Sequence, residues 1–450
     1  MTQIPPVWLA SLFPFVSRAA LRLFYRLEMS GERVPGRGPV LIVANHPNSL
    51  LDPGMVFAVA RRPVSFLAKA PLFSHPGVGW LVKGAGAVPV YRQQDQADTG
   101  ATTAQNEDTF RAVWDALARG RAVGIFPEGT SHSHPSLVPL KTGAARIALG
   151  AALRTGAAFP IVPVGLSFRE KETFRSDAVA VTGEAVAWDD LAAAGPEDRD
   201  AVRELTRRID EALHEVTVNL ERWDDEPLVQ TAEAVYAAEL PVDEGGDARV
   251  TRLSDTAEAL ARLRTENRPE WNRVAREVAA HGRVLRILGM TPAELKGRNR
   301  APVAIRWTVR QLLFFGLGVP AAAAGIVVYG IPYRLTGFLE ERRVKDDDVR
   351  ATFKLLFGGA LHLVWTLAIA TVVGLRWGWA AGLLVMIGLP LLGYVTVHVA
   401  DRWRRATGEA RRFFLRTRRP AMLNELRERQ HELAVRLHGL WEELRVAESA

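Results

Sequence analysis

VLIVANHPNSLLD, residues 40–52, decides how this chain is read. The apolar run at 40–44 is short and continuous, as a buried strand is. His46 follows it at once, and Pro47 and Asn48 make a loop at the strand's carboxyl end, where open α/β sheets carry their sites. An imidazole takes a proton from a hydroxyl, and a carboxylate on its other nitrogen fixes the tautomer and steadies the imidazolium. Asp52 is the nearest carboxylate. Asp52 followed by Pro53 also reads as a helix N-cap with proline at the first helical position, and the two roles are compatible.

Outward from this segment, residues 85–90, 122–126 and 159–166 read as further strands. Helix-like stretches at 53–60, 103–119 and 143–153 alternate with them, and a last strand at 178–182 closes the domain near Trp188. The expectation is an α/β fold, a mostly buried sheet flanked by helices, over 31–190.

A second segment, IFPEGTS at 125–131, ends another strand. Gly129 permits a tight turn whose N–H groups point outward, and Lys141-Thr-Gly143 opens a helix whose N-terminus favours an anion. An ordinary strand-to-helix loop is the alternative. Arg92 follows GAVPVY at 86–91 on the same expected edge, and its forked donors suit a phosphate. Lys69, in FLAK at 66–69, is a weaker cation of the same kind. His75, His132 and His134 do not suggest a metal site, because a His-x-His in a Pro/Ser loop is usually solvated.

With 450 residues and 48% hydrophobic content the chain has ample core for two or three domains, or for one domain with appendages. It has no cysteine, which excludes disulfides, thiolate catalysis and Cys-ligated metals. The net charge is +7, and the arginines crowd around apolar segments, which favours a membrane surface over nucleic acid. Residues 7–27 are apolar with Arg18, Arg22 and Arg26 on one helical face, so 1–30 reads as an amphipathic helix in the membrane interface. A surface helix packed on its own domain is the alternative, and no cleavage site marks it as a signal peptide.

Residues 191–300 read as a charged helical insertion, with Leu205, Ile209, Leu213, Val216 and Leu220 in one apolar stripe and a break at 243–247. Within 301–400, three stretches, 312–331, 355–375 and 377–400, reach the ~20 residues a spanning helix needs. Arginines flank all of them, and Gly316, Gly318, Pro320 and Gly325 interrupt the first. The expectation is a re-entrant or interfacial turn at 312–331 and a spanning hairpin at 355–400 that turns at 376–379. The remainder, 401–450, reads as a basic helical tail packed back on the body.

Asn45-His46 with Asp52, GAVPVYR at 86–92, FPEGT at 126–130 and IVPV at 161–164 resemble, in order, the four blocks of the glycerolipid acyltransferase family. The HPNSLLDP wording and the membrane region resemble a subgroup with fungal enzymes that acylate both glycerol 3-phosphate and dihydroxyacetone phosphate. The resemblance implies fatty-acyl transfer from acyl-CoA or acyl-ACP to a hydroxyl of glycerol 3-phosphate or lysophosphatidate in phospholipid synthesis. It implies His46 as general base with Asp52 as its partner, and Arg92, Glu128, Gly129, Thr130, Lys141 and Lys69 as substrate-binding residues. No cofactor beyond the acyl thioester, no metal and no nucleic acid are implied. The implied partner is a lipid bilayer, with the catalytic domain on the cytoplasmic face of the cytoplasmic membrane.

Two departures from the family pattern stand out. His46 and Asp52 are one residue further apart than is usual, so their loop must bulge to restore contact. The arginine usual after Glu-Gly-Thr is replaced by Ser131 and His132, which shifts phosphate binding toward Arg92 and Lys141. Without cysteine or a G-x-S-x-G elbow, direct attack by the acceptor hydroxyl is expected rather than a covalent enzyme intermediate. The alternatives are a lysophospholipid acyltransferase for another head group, a lipid esterase that activates water with the same pair, and a non-enzymatic membrane scaffold.

Overall fold

The run at 40–44 is a strand in the middle of a sheet, with all of its residues buried. The computed structural model describes residues 10–75, 79–90, 103–242, 245–297, 301–344 and 347–449. Its strands are β1 (Arg26–Gly31), β2 (Val40–Ala44), β3 (Val64–Lys69), β4 (Val88–Val90), β5 (Ala122–Ile125), β6 (Ile161–Phe168) and β7 (Asp177–Thr182). They form one seven-stranded sheet in the order β1-β7-β6-β2-β5-β3-β4. β6, β2, β5, β3 and β4 run parallel, β7 is antiparallel to β6, and β1 is parallel to β7. The carboxyl ends of the five parallel strands therefore share an edge with the amino ends of β7 and β1.

In chain order the helices around this sheet are α1 (Phe13–Phe24), α2 (Leu51–Ala60), α3 (Gly79–Gly84), α4 (Thr103–Ala118), α5 (Gly143–Thr155) and α6 (Arg199–Val216). The core joins Leu41 and Val43 of β2 to Leu117, Ile147 and Leu149, and to the predicted stripe Leu205, Ile209 and Leu213 of α6. Interdigitated apolar layers of this kind are the main favourable term in folding.

Two strands, β1 and β3, went unread in the sequence. β1, RLEMSG, is a short, half-exposed edge strand in which only Leu27 and Met29 are apolar, so it has no apolar run to betray it. Its formation also corrects the helix read at 7–27. Of that stretch, 7–9 lie outside the described residues, the helix occupies Phe13–Phe24, and Arg26 is in β1, where it pairs with Asp177 at 2.6 Å. α1 packs on α2, with the Phe13 and Phe57 rings 5.6 Å apart, and still leaves Leu12, Phe15, Val16 and Leu23 exposed, Phe15 at 76%. The strand read at 85–90 shrinks to β4, because residues 85–87 form the turn that ends the Gly79–Gly84 helix, with Gly86 at φ 74°.

The chain forms two compact units, the sheet unit (1–221, 243–255 and 346–352) and a helical unit (222–242, 256–345 and 353–450). The remaining helices are α7 (Glu226–Glu239), α8 (Gly246–Glu266), α9 (Arg268–Leu288), α10 (Pro292–Leu295), α11 (Ala301–Arg343), α12 (Asp347–Trp377), α13 (Trp379–Arg418) and α14 (Pro420–Ser449). Of the break read at 243–247, residues 243 and 244 lie outside the described residues, and α8 begins at Gly246.

The turn expected at 312–331 is not there. That stretch lies inside the unbroken helix α11. Two of its glycines form a packing face, while Gly316 and Gly330 face open space: a Cβ on Gly318 would press on Val399 and one on Gly325 would overlap Thr396, both on α13. Small residues let helices approach closely where no hydrophobic effect drives them together. Pro332 lacks the N–H that would hold the Val328 carbonyl, and the Trp365 indole of α12 donates to that carbonyl at 2.9 Å. Among the described residues, Arg306–Arg343, Val349–Trp377 and Trp379–Arg418 are long and apolar enough to cross a membrane. Gly378, with φ 94°, separates the last two within the 376–379 stretch.

α14 packs Leu423 and Leu426 on Leu285, Met290 and Leu295. The buried Gln430 fixes its register, accepting from His281 at 3.2 Å and donating to Glu239 at 2.7 Å. Burial holds the His281 imidazole below its ordinary pKa, so it is a neutral donor to Gln430.

Candidate active site

As the chain leaves β2, the Asn45 side chain bonds both ways with the backbone of Leu166 on β6, donating at 2.9 Å and accepting at 2.7 Å. This pins the residue before His46 to the sheet. The additional residue in the His46–Asp52 loop is absorbed at Ser49, which takes a left-handed conformation with φ 47°. Contact is thereby restored, and His46 Nδ1 lies 2.8 Å from Asp52 Oδ2.

Asp52 is fully buried and is the second residue of α2, not its cap. That corrects the N-cap reading: its Oδ2 accepts the Asn48 N–H at 2.6 Å instead of amides of the helix's first turn. Oδ1 is buried with no hydrogen-bond partner among the described residues. Burial raises the Asp52 pKa, opposed by the bonds from His46 and Asn48 and the charge of Lys171. A carboxylate this poorly hydrated gains most when its neighbour becomes positive, which is what an imidazole does on taking a proton.

With Nδ1 donating to Asp52, Nε2 carries the lone pair that a substrate proton would meet. The His46 side chain is 17% exposed. Its ring stacks on Phe126, with centroids 4.1 Å apart and an interplanar angle of 13°, and Phe126 stacks on Phe66 at 5.6 Å. The imidazole is thus held by a hydrogen bond in its plane and a ring against its face.

Glu128 is not available to a substrate. Its buried carboxylate accepts the His46 backbone N–H on Oε1 at 2.7 Å, and the Val138 N–H at 3.3 Å and the His132 ring on Oε2. The substrate-binding role read from the sequence is corrected to support of the His46 loop, because an enclosed charge is tolerated only when saturated with donors. Gly129 has φ +77°, and a Cβ there would fall 2.7 Å from Cδ and Nζ of Lys141. The exposed Lys141 therefore lies over Gly129, just before the N-terminus of α5. Thr130 is exposed, its hydroxyl donating to the Ser131 carbonyl at 3.3 Å. Lys69 is exposed at the carboxyl end of β3, on the same sheet edge. Arg92 lies outside the described residues.

Four contributors were not legible in the sequence. Lys171, between β6 and β7, donates to the Pro47 carbonyl at 2.7 Å and to the Ser133 hydroxyl at 2.9 Å. Tyr25 accepts from the Asn48 side chain at 3.2 Å and donates to the Lys171 carbonyl. Burial pushes the Tyr25 phenol well above its usual pKa, so it stays a donor. The third contributor, Asn48, makes the link. His132, read as solvated, is 12% exposed and bound to Glu128. No local pattern marks these residues, since Tyr25 and Lys171 meet across 146 positions of chain.

Residues 26–167, from β1 into β6, match the model of the acyltransferase family. Over 134 residues the chain is 39% identical to glycerol-3-phosphate O-acyltransferase 2 of Saccharomyces cerevisiae, covering 29% of this chain and 18% of that one. It is 24% identical over 450 residues to glycerol-3-phosphate O-acyltransferase 1 of the same yeast, covering 75% of this chain and 58% of that one. A chloroplastic 1-acyl-sn-glycerol-3-phosphate acyltransferase of Brassica napus is 30% identical over 145 residues, covering 32% of this chain and 38% of that one. The chain spans 18%, 58% and 38% of these relatives, under two thirds of each. By that match, and with its histidine–carboxylate pair assembled at the sheet edge, the segment 26–167 is a domain of the acyltransferase family.

Proposed function

We propose that the protein transfers a fatty acyl group from acyl-CoA or acyl-ACP to a hydroxyl of glycerol 3-phosphate or lysophosphatidate. The observation that carries this reading is the 2.8 Å contact between His46 Nδ1 and the buried Asp52 carboxylate, which leaves Nε2 as a base. Nε2 takes the hydroxyl proton as the acceptor oxygen attacks the thioester carbonyl carbon, and Asp52 steadies the imidazolium. The tetrahedral intermediate collapses with cleavage of the carbon–sulfur bond. The thiolate leaves and takes the proton back from His46, so ester and thiol are the products and the enzyme returns to its starting state.

Lys141, beside Gly129 and the α5 N-terminus, and Lys69 on the same edge are the cations assigned to the acceptor phosphate, with Arg92. The relatives' names support a glycerol-phosphate acceptor. The apolar helices and the exposed face of α1 support a membrane site, where the acylated product partitions. The catalytic domain is assigned to the cytoplasmic face of the cytoplasmic membrane, since both acyl donors are soluble cytoplasmic carriers.

The test is transfer from radiolabelled palmitoyl-CoA by the purified protein, with glycerol 3-phosphate, dihydroxyacetone phosphate and lysophosphatidate offered in parallel. Acylated acceptor is expected with the wild type and not with His46→Ala. Equal activity in His46→Ala refutes the mechanism, and acceptor-independent release of palmitate indicates an esterase instead.

A further inference from the structure

Beside the His46 loop lies a second histidine–carboxylate pair that the proposed chemistry does not use. The Glu128 side chain has no exposed surface, and a charge so enclosed persists only when its oxygens are saturated by donors. It has them in the His46 N–H, the Val138 N–H and the His132 ring. His132 Nδ1 accepts the His134 backbone N–H at 3.1 Å, so the proton resides on Nε2 and is donated to Glu128 Oε2. The backbone N–H of His132 donates to the His46 carbonyl at 3.1 Å. Both backbone polar groups of His46 are therefore held from one short loop: its N–H by Glu128 and its C=O by His132, whose ring in turn holds Glu128. With both ring nitrogens engaged inside the protein, His132 has no group left to offer a phosphate.

We infer that His132 is a positioning residue for His46, acting through Glu128, and not a ligand of the acceptor's phosphate. The inference rests on the reading of His46 as the base. Its contribution is to fix the backbone torsions of His46 and so the aim of Nε2 at the acceptor hydroxyl. A displacement of about 1 Å at such a group can cost roughly 10²-fold in rate. A residue of this kind alters turnover, whereas a phosphate ligand alters acceptor affinity.

The experiment compares wild type, His132→Leu, His132→Gln and His132→Arg as full chains in detergent micelles, with palmitoyl-CoA and glycerol 3-phosphate. Leu fills the space without a donor, Gln restores a donor toward Glu128, and Arg supplies a cation. The expected result is a kcat lower by about tenfold or more in His132→Leu, with KM for glycerol 3-phosphate within about twofold of wild type in every variant. His132→Gln should recover most of the loss. A KM raised about fivefold or more at unchanged kcat in His132→Leu, restored by His132→Arg, overturns the inference.

A second measurement does not depend on turnover: the rate at which diethyl pyrocarbonate modifies His46, followed by peptide mass spectrometry. It should rise about threefold or more in His132→Leu and return toward wild type in His132→Gln, as loosening of the loop exposes the ring. An unchanged rate overturns the inference even if the wild type transfers no acyl group, an outcome that would separately refute the proposed function. Should His132→Leu fail to fold, His132→Asn, whose amide is too short to span to Glu128, gives the same contrast with His132→Gln.

Discussion

Glu128 Oε1 accepts the backbone N–H of His46 at 2.7 Å, across 82 positions of sequence. The bond ties the loop after β5 to the loop after β2, and it makes a residue that reads as a substrate contact a support for His46. The imidazole is then fixed from three directions: Glu128 at its backbone, Asp52 at Nδ1 and Phe126 on its face.

Asp52→Asn keeps the shape of the partner but presents an amide to His46 Nδ1. With the imidazole tautomer no longer enforced, kcat should fall by about 10³-fold while KM for the acceptor changes little. Steady-state kinetics of the purified variant check this, and a loss under about tenfold would remove Asp52 from the mechanism.

The same substitution makes a prediction about pH. Burial raises the Asp52 pKa in the folded state, so between the ordinary aspartate range and that raised value the folded chain binds more protons than the unfolded one. Stability from this group is therefore present at low pH and lost as pH rises through the folded pKa. The melting temperature of Asp52→Asn relative to wild type should increase from acidic toward neutral pH, read by differential scanning fluorimetry across the range.

Phe126→Leu retains bulk at the face of His46 but removes the parallel ring. Aromatic pairs contribute about 0.5–1.5 kcal/mol beyond burial, so a loss of roughly two- to tenfold in kcat is expected if the stack holds the imidazole in its working orientation. Unchanged kcat with a lowered melting temperature would assign Phe126 to packing alone.

Gly129→Ala places a methyl group where Lys141 lies and requires an L-residue at φ +77°. It should destabilise the fold by about 1 kcal/mol or more and displace the Lys141 ammonium. Lys141→Met removes the charge without the strain, and it should raise KM for glycerol 3-phosphate by about tenfold, the value of one charge-assisted bond. Titration of acceptor at fixed donor distinguishes this from a turnover effect.

Trp365→Phe deprives the Val328 carbonyl of its donor in the interior of the apolar helices. The expected loss is about 0.6–1.7 kcal/mol in detergent unfolding. In the background of Pro332→Ala, which supplies a backbone N–H to that carbonyl, the same change should be close to neutral. Additive effects of the two substitutions would show that the indole does not compensate for the proline.

Local patterns carried much of this molecule. The apolar run at 40–44, the glycine turn at 129 and the alternation of strands with helices place His46, Asp52, Glu128 and Lys141 at one sheet edge, because they follow strands legible as apolar runs and parallel strands end on a common edge. The helices at 349–377 and 379–418 are equally visible, since length and hydropathy suffice to find them, whereas 312–331 reads as a turn. What failed was the meaning of single residues. The glycines at 318 and 325 read as breaks, yet they are packing faces, because only the neighbouring α13 gives a missing side chain a purpose.

The sequence by itself singled out His46 and Asp52 as the candidate base and its carboxylate partner, since side-chain chemistry and position after a strand point to them. Only the tertiary structure decided how that pair is held. The left-handed Ser49 closes the loop, while the bonds of Glu128 and His132 to the His46 backbone and the Asn48–Tyr25–Lys171 chain join segments brought together by the sheet. A buried polar group must find its partner in space, and nothing in its own neighbourhood of sequence records which partner that will be.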